Sequence, residues 1–251
     1  MKRLGLIGHP LSHSFSERYF SEKFFREGIP DWSYQLFDLP HLPQDLISWW
    51  SQQSGLVGIN VTIPYKERIL EFVNSEHQSE HVRTIGAANT LVMDPVNLAL
   101  RAENTDWCGF LEALDQEHVF SSGRPALVLG NGGASKAIQY ALGQINVDFA
   151  IAHRAAGPKT ILYEDLNGQM EQFGLIVNTT PLGTFPKEDA YPPLPYEEID
   201  GQHYYFDLVY RPEKTAAMKM CDLRGAYVQN GYGMLVSQAE FAWSFWGEFY
   251  R

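Results

Sequence analysis

Hydrophobic positions in the N-terminal part of the chain switch between strand and helix periods. A short apolar segment at about residues 5–8 reads as a strand. Ser14 and Ser16 then precede Tyr19, Phe20, Phe24 and Phe25, whose spacing predicts a helix that stops near Gly28. Trp32, Tyr34 and Leu36 alternate with polar residues as a second strand, Leu46, Ile47, Trp49 and Trp50 suit a helix, and residues 57–63 read as a third strand ended by Pro64. A short helix is expected over 66–73, and a hairpin pairs 88–93 with 98–103 around Asp94-Pro95-Val96-Asn97. Such an order predicts an open α/β layer.

A long helix is expected from Asp106. The apolar strand 126–129 runs into Gly130-Asn131-Gly132-Gly133-Ala134-Ser135 and a helix over 134–142, and a further strand follows at 147–152. Strands are also expected at 175–177 and 204–208, with Pro192-Pro193-Leu194-Pro195 as loop between them, and 234–249 predicts an amphipathic helix. The pattern as a whole is that of two α/β domains without internal repeats.

Composition narrows the partners. With 251 residues, 45% of them hydrophobic, the chain is large enough to bury one or two sizeable cores. A formal charge of −11 argues against nucleic acid, which needs clustered Lys and Arg to neutralise phosphates. Cys108 and Cys221 are too few for a disulfide framework and lack metal-ligand spacing, which suits a reducing cytoplasm; both are expected to be ordinary buried thiols. The basic start Met1-Lys2-Arg3 leads into an apolar stretch cut by Gly5, Gly8 and Pro10, too short for a secretory signal, and no uncharged apolar run reaches the roughly 18 residues of a membrane span.

Two regions carry candidate chemistry. A pyrophosphate approaches backbone N–H groups at a strand-to-helix turn only where side chains do not block it, and Gly130, Gly132 and Gly133 meet that need; a tight structural turn is the plainer alternative. The next strand ends in His153-Arg154, with no Asp or Glu to take a ribose 2′-hydroxyl, so NADP is expected rather than NAD, with Arg154 binding the 2′-phosphate. A solvated surface arginine would look the same. In the N-terminal half, Lys66 and Asp106 are the candidate proton-transfer groups for an alcohol-to-ketone reaction. Lysine in a first helical turn is commonly solvated, and Asp106 fits equally well as a helix N-cap. Ser12, Ser14 and Ser16 offer hydroxyl donors for a carboxylate, or caps for the helix that follows.

The ordered set His9-Pro10-Leu11-Ser12-His13-Ser14-Phe15-Ser16, Asn60-Val61-Thr62-Ile63-Pro64-Tyr65-Lys66, Gly86-Ala87-Ala88-Asn89-Thr90-Leu91, Asn104-Thr105-Asp106, the glycine turn, Asn178-Thr179-Thr180-Pro181-Leu182-Gly183 and Gly231-Tyr232-Gly233-Met234-Leu235-Val236-Ser237-Gln238 resembles the shikimate dehydrogenase family over nearly the whole chain. The resemblance implies a substrate-binding and catalytic domain at 1–105 and 233–251, with a Rossmann-like NADP-binding domain at 106–232 and a last helix that returns to the first domain. It implies that Ser14 and Ser16 bind the substrate carboxylate, that Thr62, Asn89, Tyr210 and Gln238 contact the substrate elsewhere, and that Lys66 and Asp106 form the catalytic pair. Thr179, Gly231 and Met234 would join the glycine turn and Arg154 around the cofactor. The implied protein is a cytoplasmic enzyme of the shikimate pathway acting on shikimate and 3-dehydroshikimate, as a monomer or homodimer.

The chain departs from the family where Asn-Arg-Thr usually follows the second nucleotide-domain strand. Here His153-Arg154-Ala155-Ala156-Gly157-Pro158-Lys159 lacks the threonine, and Gly157-Pro158 interrupts the expected crossover helix. A loop with at most one short strand is expected instead, leaving the adenosine side open, with Lys159 as a possible substitute base. Quinate or amino-shikimate oxidation on the same scaffold, and a non-catalytic dinucleotide or metabolite sensor, are the competing readings; retention of Lys66 and Asp106 speaks against the sensor.

Overall fold

The computed structural model describes residues 1–11, 14–157 and 160–250. Ser12, Pro158 and Lys159 lie outside the described residues. The chain divides into two compact units, Met1–Thr105 with the C-terminal segment from Ala239, and Asp106–Gln238.

In the first unit the elements are β1 (Lys2–Gly8), α1 (Ser16–Glu27), β2 (Trp32–Asp38), α2 (Leu46–Ser51), β3 (Leu56–Val61), α3 (Glu80–Ile85), β4 (Thr90–Met93) and β5 (Leu100–Glu103). The strands lie in the order β2-β1-β3-β4-β5, with β1 parallel to both neighbours and β4 antiparallel to β3 and β5. Apolar side chains cover both faces. Ile7, Ile59 and Leu91 meet Leu46 and Trp50 of α2 on one side. Leu4 and Leu6 meet Phe20 and Phe24 of α1, together with Ala239, Ala242, Trp243 and Trp246, on the other. The last four recur at the spacing of a single helix face.

Three expectations change here. Phe25 does not join the buried stripe: one residue beyond Phe24 it is turned about a quarter of the way round the helix and is 90% exposed. The expected helix after Lys66 is a single 3₁₀ segment, Arg68–Phe72, a form favoured where a helical stretch is too short to gain from a longer ladder. The unanticipated α3 is held by its ends, where Ser79 accepts the Val82 N–H and Gly86 closes the helix at φ 70°.

The second unit contains α4 (Asp106–Ala113), α5 (Gln116–Ser122), β6 (Ala126–Leu129), α6 (Gly133–Gln144), β7 (Phe149–His153), β8 (Thr160–Leu162), β9 (Leu175–Asn178), β10 (Tyr204–Asp207), α7 (Ala216–Leu223) and β11 (Tyr227–Asn230), and α8 (Tyr232–Tyr250) begins in it. Its sheet is wholly parallel, ordered β11-β10-β9-β6-β7-β8. Consecutive residues of β6 face opposite cores: Leu127 and Leu129 join Met218 and Cys221 of α7, whereas Ala126 and Val128 join Phe110 of α4 and Ile138 of α6. Burial on both faces explains why these strands read as continuous apolar runs.

The single long helix expected from Asp106 is broken in two. Asp115 accepts the His118 N–H and starts α5 afresh. Between β7 and β8 only the six positions 154–159 intervene, and no helix occurs among those described. Parallel neighbours usually need a crossover of about a dozen residues; β8 therefore forms a three-residue edge strand. Cys221 is buried, with its thiol pushed up to about 12 by desolvation, but Cys108 is only half-buried. Among the described residues, no helix is long and apolar enough to cross a membrane.

Candidate active site

In the first unit the sequence-predicted polar residues gather at one edge of the sheet. Ser14 and Ser16 follow the C-terminal end of β1, while Thr62 and Lys66 follow that of the parallel β3. Asn89 precedes β4, which is antiparallel, and Thr105 follows β5, so both return to the same edge. Backbone bonds tie the loops together: Thr62 N–H donates to Ile7 O at 2.9 Å, Val61 N–H to Asn89 O at 2.8 Å, and Ala88 N–H to Lys66 O at 2.8 Å. Gly8 is required by close approach, since a Cβ there would stand 2.3 Å from Thr62 Cγ2.

Beneath this edge runs a buried polar network. Tyr34 Oη donates to Asn60 Oδ1 at 2.8 Å beside the Ser16 side chain, and burial pushes its pKa far above the ordinary phenol value. Its ring stacks on Phe20 at 4.6 Å between centroids. Asn60 Nδ2 donates to Thr90 Oγ1 at 3.2 Å, and Asn89 Oδ1 accepts from Thr90 Oγ1 at 3.0 Å and from the Thr105 N–H at 2.7 Å. Satisfied networks of this kind fix side-chain positions because a lost partner leaves a buried polar group unpaired. At the neighbouring strand end, Asp38 lies 2.6 Å from His9 Nδ1 and accepts the Leu11 N–H, and these bonds, His9 first, hold its carboxyl below the usual range. Ser14 Oγ accepts the Ser16 N–H at 3.3 Å, but the Phe15 N-cap position carries no side-chain cap, so only Ser14 serves the helix start.

The second unit repeats the arrangement with the C-terminal ends of its parallel strands. The glycine turn follows β6, Arg154 follows β7, Thr179 follows β9, Tyr210 lies beyond β10 and Gly231 follows β11. The chain direction across the sheet reverses between β6 and β9, the position where open α/β sheets bind ligands. Gly130 has φ 101°, and a Cβ there would lie 3.0 Å from Thr179 Oγ1. Thr179 Oγ1 donates to Leu129 O at 2.6 Å and Ser135 Oγ to Gly130 O at 2.7 Å, fixing the turn from both sides. A Cβ at Gly132 would meet nothing within 4 Å, so the N-terminus of the twelve-residue α6 is open. Exposed Asn131, half-buried Gly133 and Ala134 and buried Ser135 complete a cradle that fits a dinucleotide pyrophosphate.

The comparisons place this geometry in a family. A model of the shikimate dehydrogenase substrate binding domain matches residues 6–91. The shikimate dehydrogenase (NADP(+)) of Caldanaerobacter subterraneus is 33% identical over 99% of this chain and 93% of its own. Among solved structures, the shikimate dehydrogenase of Aquifex aeolicus superimposes with a TM-score of 0.85 at 27% identity, covering 99% of this chain and 93% of that one. The Thermus thermophilus shikimate 5-dehydrogenase in complex with NADP(H) and shikimate gives 0.80 at 30% identity, covering 99% and 94%. The chain belongs to the shikimate dehydrogenase family.

Within that family assignment, the residues differ in what surrounds them. Lys66 is half-buried after β3, whereas Asp106 is 4% exposed and opens α4 rather than preceding it as an N-cap. Met234 is 6% exposed and packs with Phe110 and Val177 in the core of the second unit. Gln238 Nε2 donates to Leu235 O at 2.8 Å, and its Cβ lies against Gly109. Gly231 is demanded by packing, because a Cβ there would stand 2.2 Å from Leu208 O. Arg154 is exposed beside a cavity of about 550 Å³.

Sequence reasoning missed Tyr34 and Asn60, and also Asp207, which is fully buried at the end of β10. Asp207 accepts from Asn178 Nδ2 at 2.9 Å, Thr215 Oγ1 at 2.7 Å and the Val209 N–H at 3.0 Å; burial nonetheless raises its pKa to about 6. The available signal was a polar residue within a run of apolar positions, true of both Asn60 and Asp207.

Proposed function

We propose that this chain catalyses the reversible NADP-dependent reduction of 3-dehydroshikimate to shikimate. The observation that carries the proposal is the gathering of Ser14, Ser16, Thr62, Lys66 and Asn89 at one sheet edge, on a chain matched end to end by shikimate dehydrogenases. In this reading Met1–Thr105 with the segment from Ala239 is the substrate domain and Asp106–Gln238 the dinucleotide domain.

Each group then has a task. Hydroxyls of Ser14 and Ser16 donate to the substrate carboxylate, with the Tyr34 hydroxyl beside Ser16. Thr62, Asn89, Tyr210 and Gln238 orient the ring, and Asp106 accepts from its hydroxyls. Lys66 gives a proton to the carbonyl oxygen as it becomes an alkoxide and takes it back in the reverse direction. The pyrophosphate of the dinucleotide is assigned to Gly130, Asn131, Gly132, Gly133, Ala134 and Ser135, with Thr179, Gly231 and Met234 at the nicotinamide side and Arg154 at the 2′-phosphate. Bound NADPH supplies the hydride that reduces the ketone carbon. Cys108 and Cys221, neither in a disulfide, suit a cytoplasmic enzyme, taken to act as a monomer or homodimer.

The test is absorbance at the reduced-nicotinamide band with shikimate and NADP⁺, then with NAD⁺ and with quinate in place of each. Turnover of shikimate with NADP⁺ is expected to exceed both alternatives. Preferred turnover of quinate would reassign the substrate, and tight ligand binding without any turnover would make the chain a sensor.

A further inference from the structure

The cavity beside Arg154 lies wholly within the second unit, and its described lining contains one cation and two carboxylates. Arg154 enters from the end of β7, Glu164 from the turn after β8 and Glu197 from the loop that follows the proline-rich segment. All three side chains are exposed. Among the described residues, no ion pair or hydrogen bond engages the Arg154 guanidinium, and neither Glu164 nor Glu197 has a side-chain partner. The arrangement follows from the short 154–159 connection. With no helix among its described residues, the connection leaves β8 as the sheet edge and the Glu164 turn beside the Arg154 end of β7. Leu162 and Leu194 give the cavity an apolar floor.

Three unpaired charges around one cavity act on a ligand rather than on each other. An adenosine 2′-phosphate carries close to two negative charges, so it is attracted by the guanidinium and repelled by each carboxylate, whereas an adenosine bearing only a 2′-hydroxyl feels neither force strongly. We propose that Glu164 and Glu197 are specificity determinants that lower the preference of this chain for phosphorylated over unphosphorylated dinucleotide below what Arg154 alone would give. The inference rests on the assignment of Arg154 to the 2′-phosphate.

The experiment measures binding rather than turnover. Adenosine 2′,5′-bisphosphate and adenosine 5′-monophosphate are titrated by calorimetry into the full chain and into the Glu164→Gln, Glu197→Gln, double and Arg154→Ala variants. Each glutamine substitution is expected to tighten the bisphosphate by about two- to fivefold and the double variant by more, with the monophosphate shifting less than twofold. The gain should shrink at about 1 M salt, where screening acts over roughly 3 Å. Arg154→Ala is expected to weaken the bisphosphate by at least about tenfold and the monophosphate little. If Arg154→Ala behaves so but neither glutamine variant changes the ratio of the two affinities, the inference is overturned and the Arg154 assignment stands. If Arg154→Ala leaves that ratio unchanged, the assignment itself fails.

Discussion

Replacing Asp207 by Asn tests whether a buried carboxylate at the end of β10 governs the pH dependence of the second unit. The carboxyl is fully buried and its pKa is raised from 3.8 to about 6, chiefly by desolvation, with the hydrogen bonds from Thr215, Val209 and Asn178 pulling the other way. A raised folded pKa means that the folded state holds the proton more tightly than the unfolded one. Stability from this group is therefore fully present below about pH 4 and is lost as the pH rises through about 6. A shift of roughly 2 units at about 1.4 kcal/mol each gives about 3 kcal/mol in all, of which about 2 kcal/mol falls between roughly pH 4.5 and 7.5. The Asn variant keeps an acceptor for the Val209 N–H and cannot ionise. Urea unfolding of both proteins across that range, read as the wild-type minus variant difference, cancels the other titrating groups. The wild type should lose about 2 kcal/mol relative to the variant as the pH rises. A difference flat to within about 0.5 kcal/mol, or one of opposite sign, would refute the reasoning. Because Asp207 binds Asn178, the residue before Thr179, the same variant reports on how firmly the β9 end is held beside the glycine turn.

Other substitutions probe the proposed site. Lys66→Ala should lose about 10²–10⁴-fold in kcat with KM changed far less, and near-wild-type turnover would remove Lys66 from the chemistry. Tyr34→Phe keeps the stack on Phe20 but leaves Asn60 Oδ1 without its donor, at a cost of about 1–3 kcal/mol. Loss of the hydroxyl beside Ser16 should raise the shikimate KM about three- to tenfold with kcat nearly unchanged in steady-state assays, and a fall confined to kcat would contradict a carboxylate-positioning role. Gly231→Ala places a Cβ against the Leu208 carbonyl and should destabilise by more than about 2 kcal/mol in thermal melts; a variant as stable as wild type would show that the backbone yields there.

The sequence by itself determined the strand cores and singled out the candidate reacting groups. Apolar runs such as 126–129 and 175–177 became strands because both faces of the parallel sheet are buried and every position is apolar. The glycine turn was legible because φ 101° at Gly130 is a backbone conformation that favours a residue without a Cβ. Two signals within single helices went unread. A capping aspartate at 115 ended one helix and began another, and Phe25 was left in solvent by a single step of helical rotation. Tertiary structure alone brought Tyr34 to Asn60 and Asp207 to Thr215, since hydrogen bonds between chain segments leave no periodicity to read. It also placed Glu164 and Glu197 beside Arg154: the shortened connection is visible in the sequence, but which charges it exposes to one another depends on how the sheet edge and the proline-rich loop fold back.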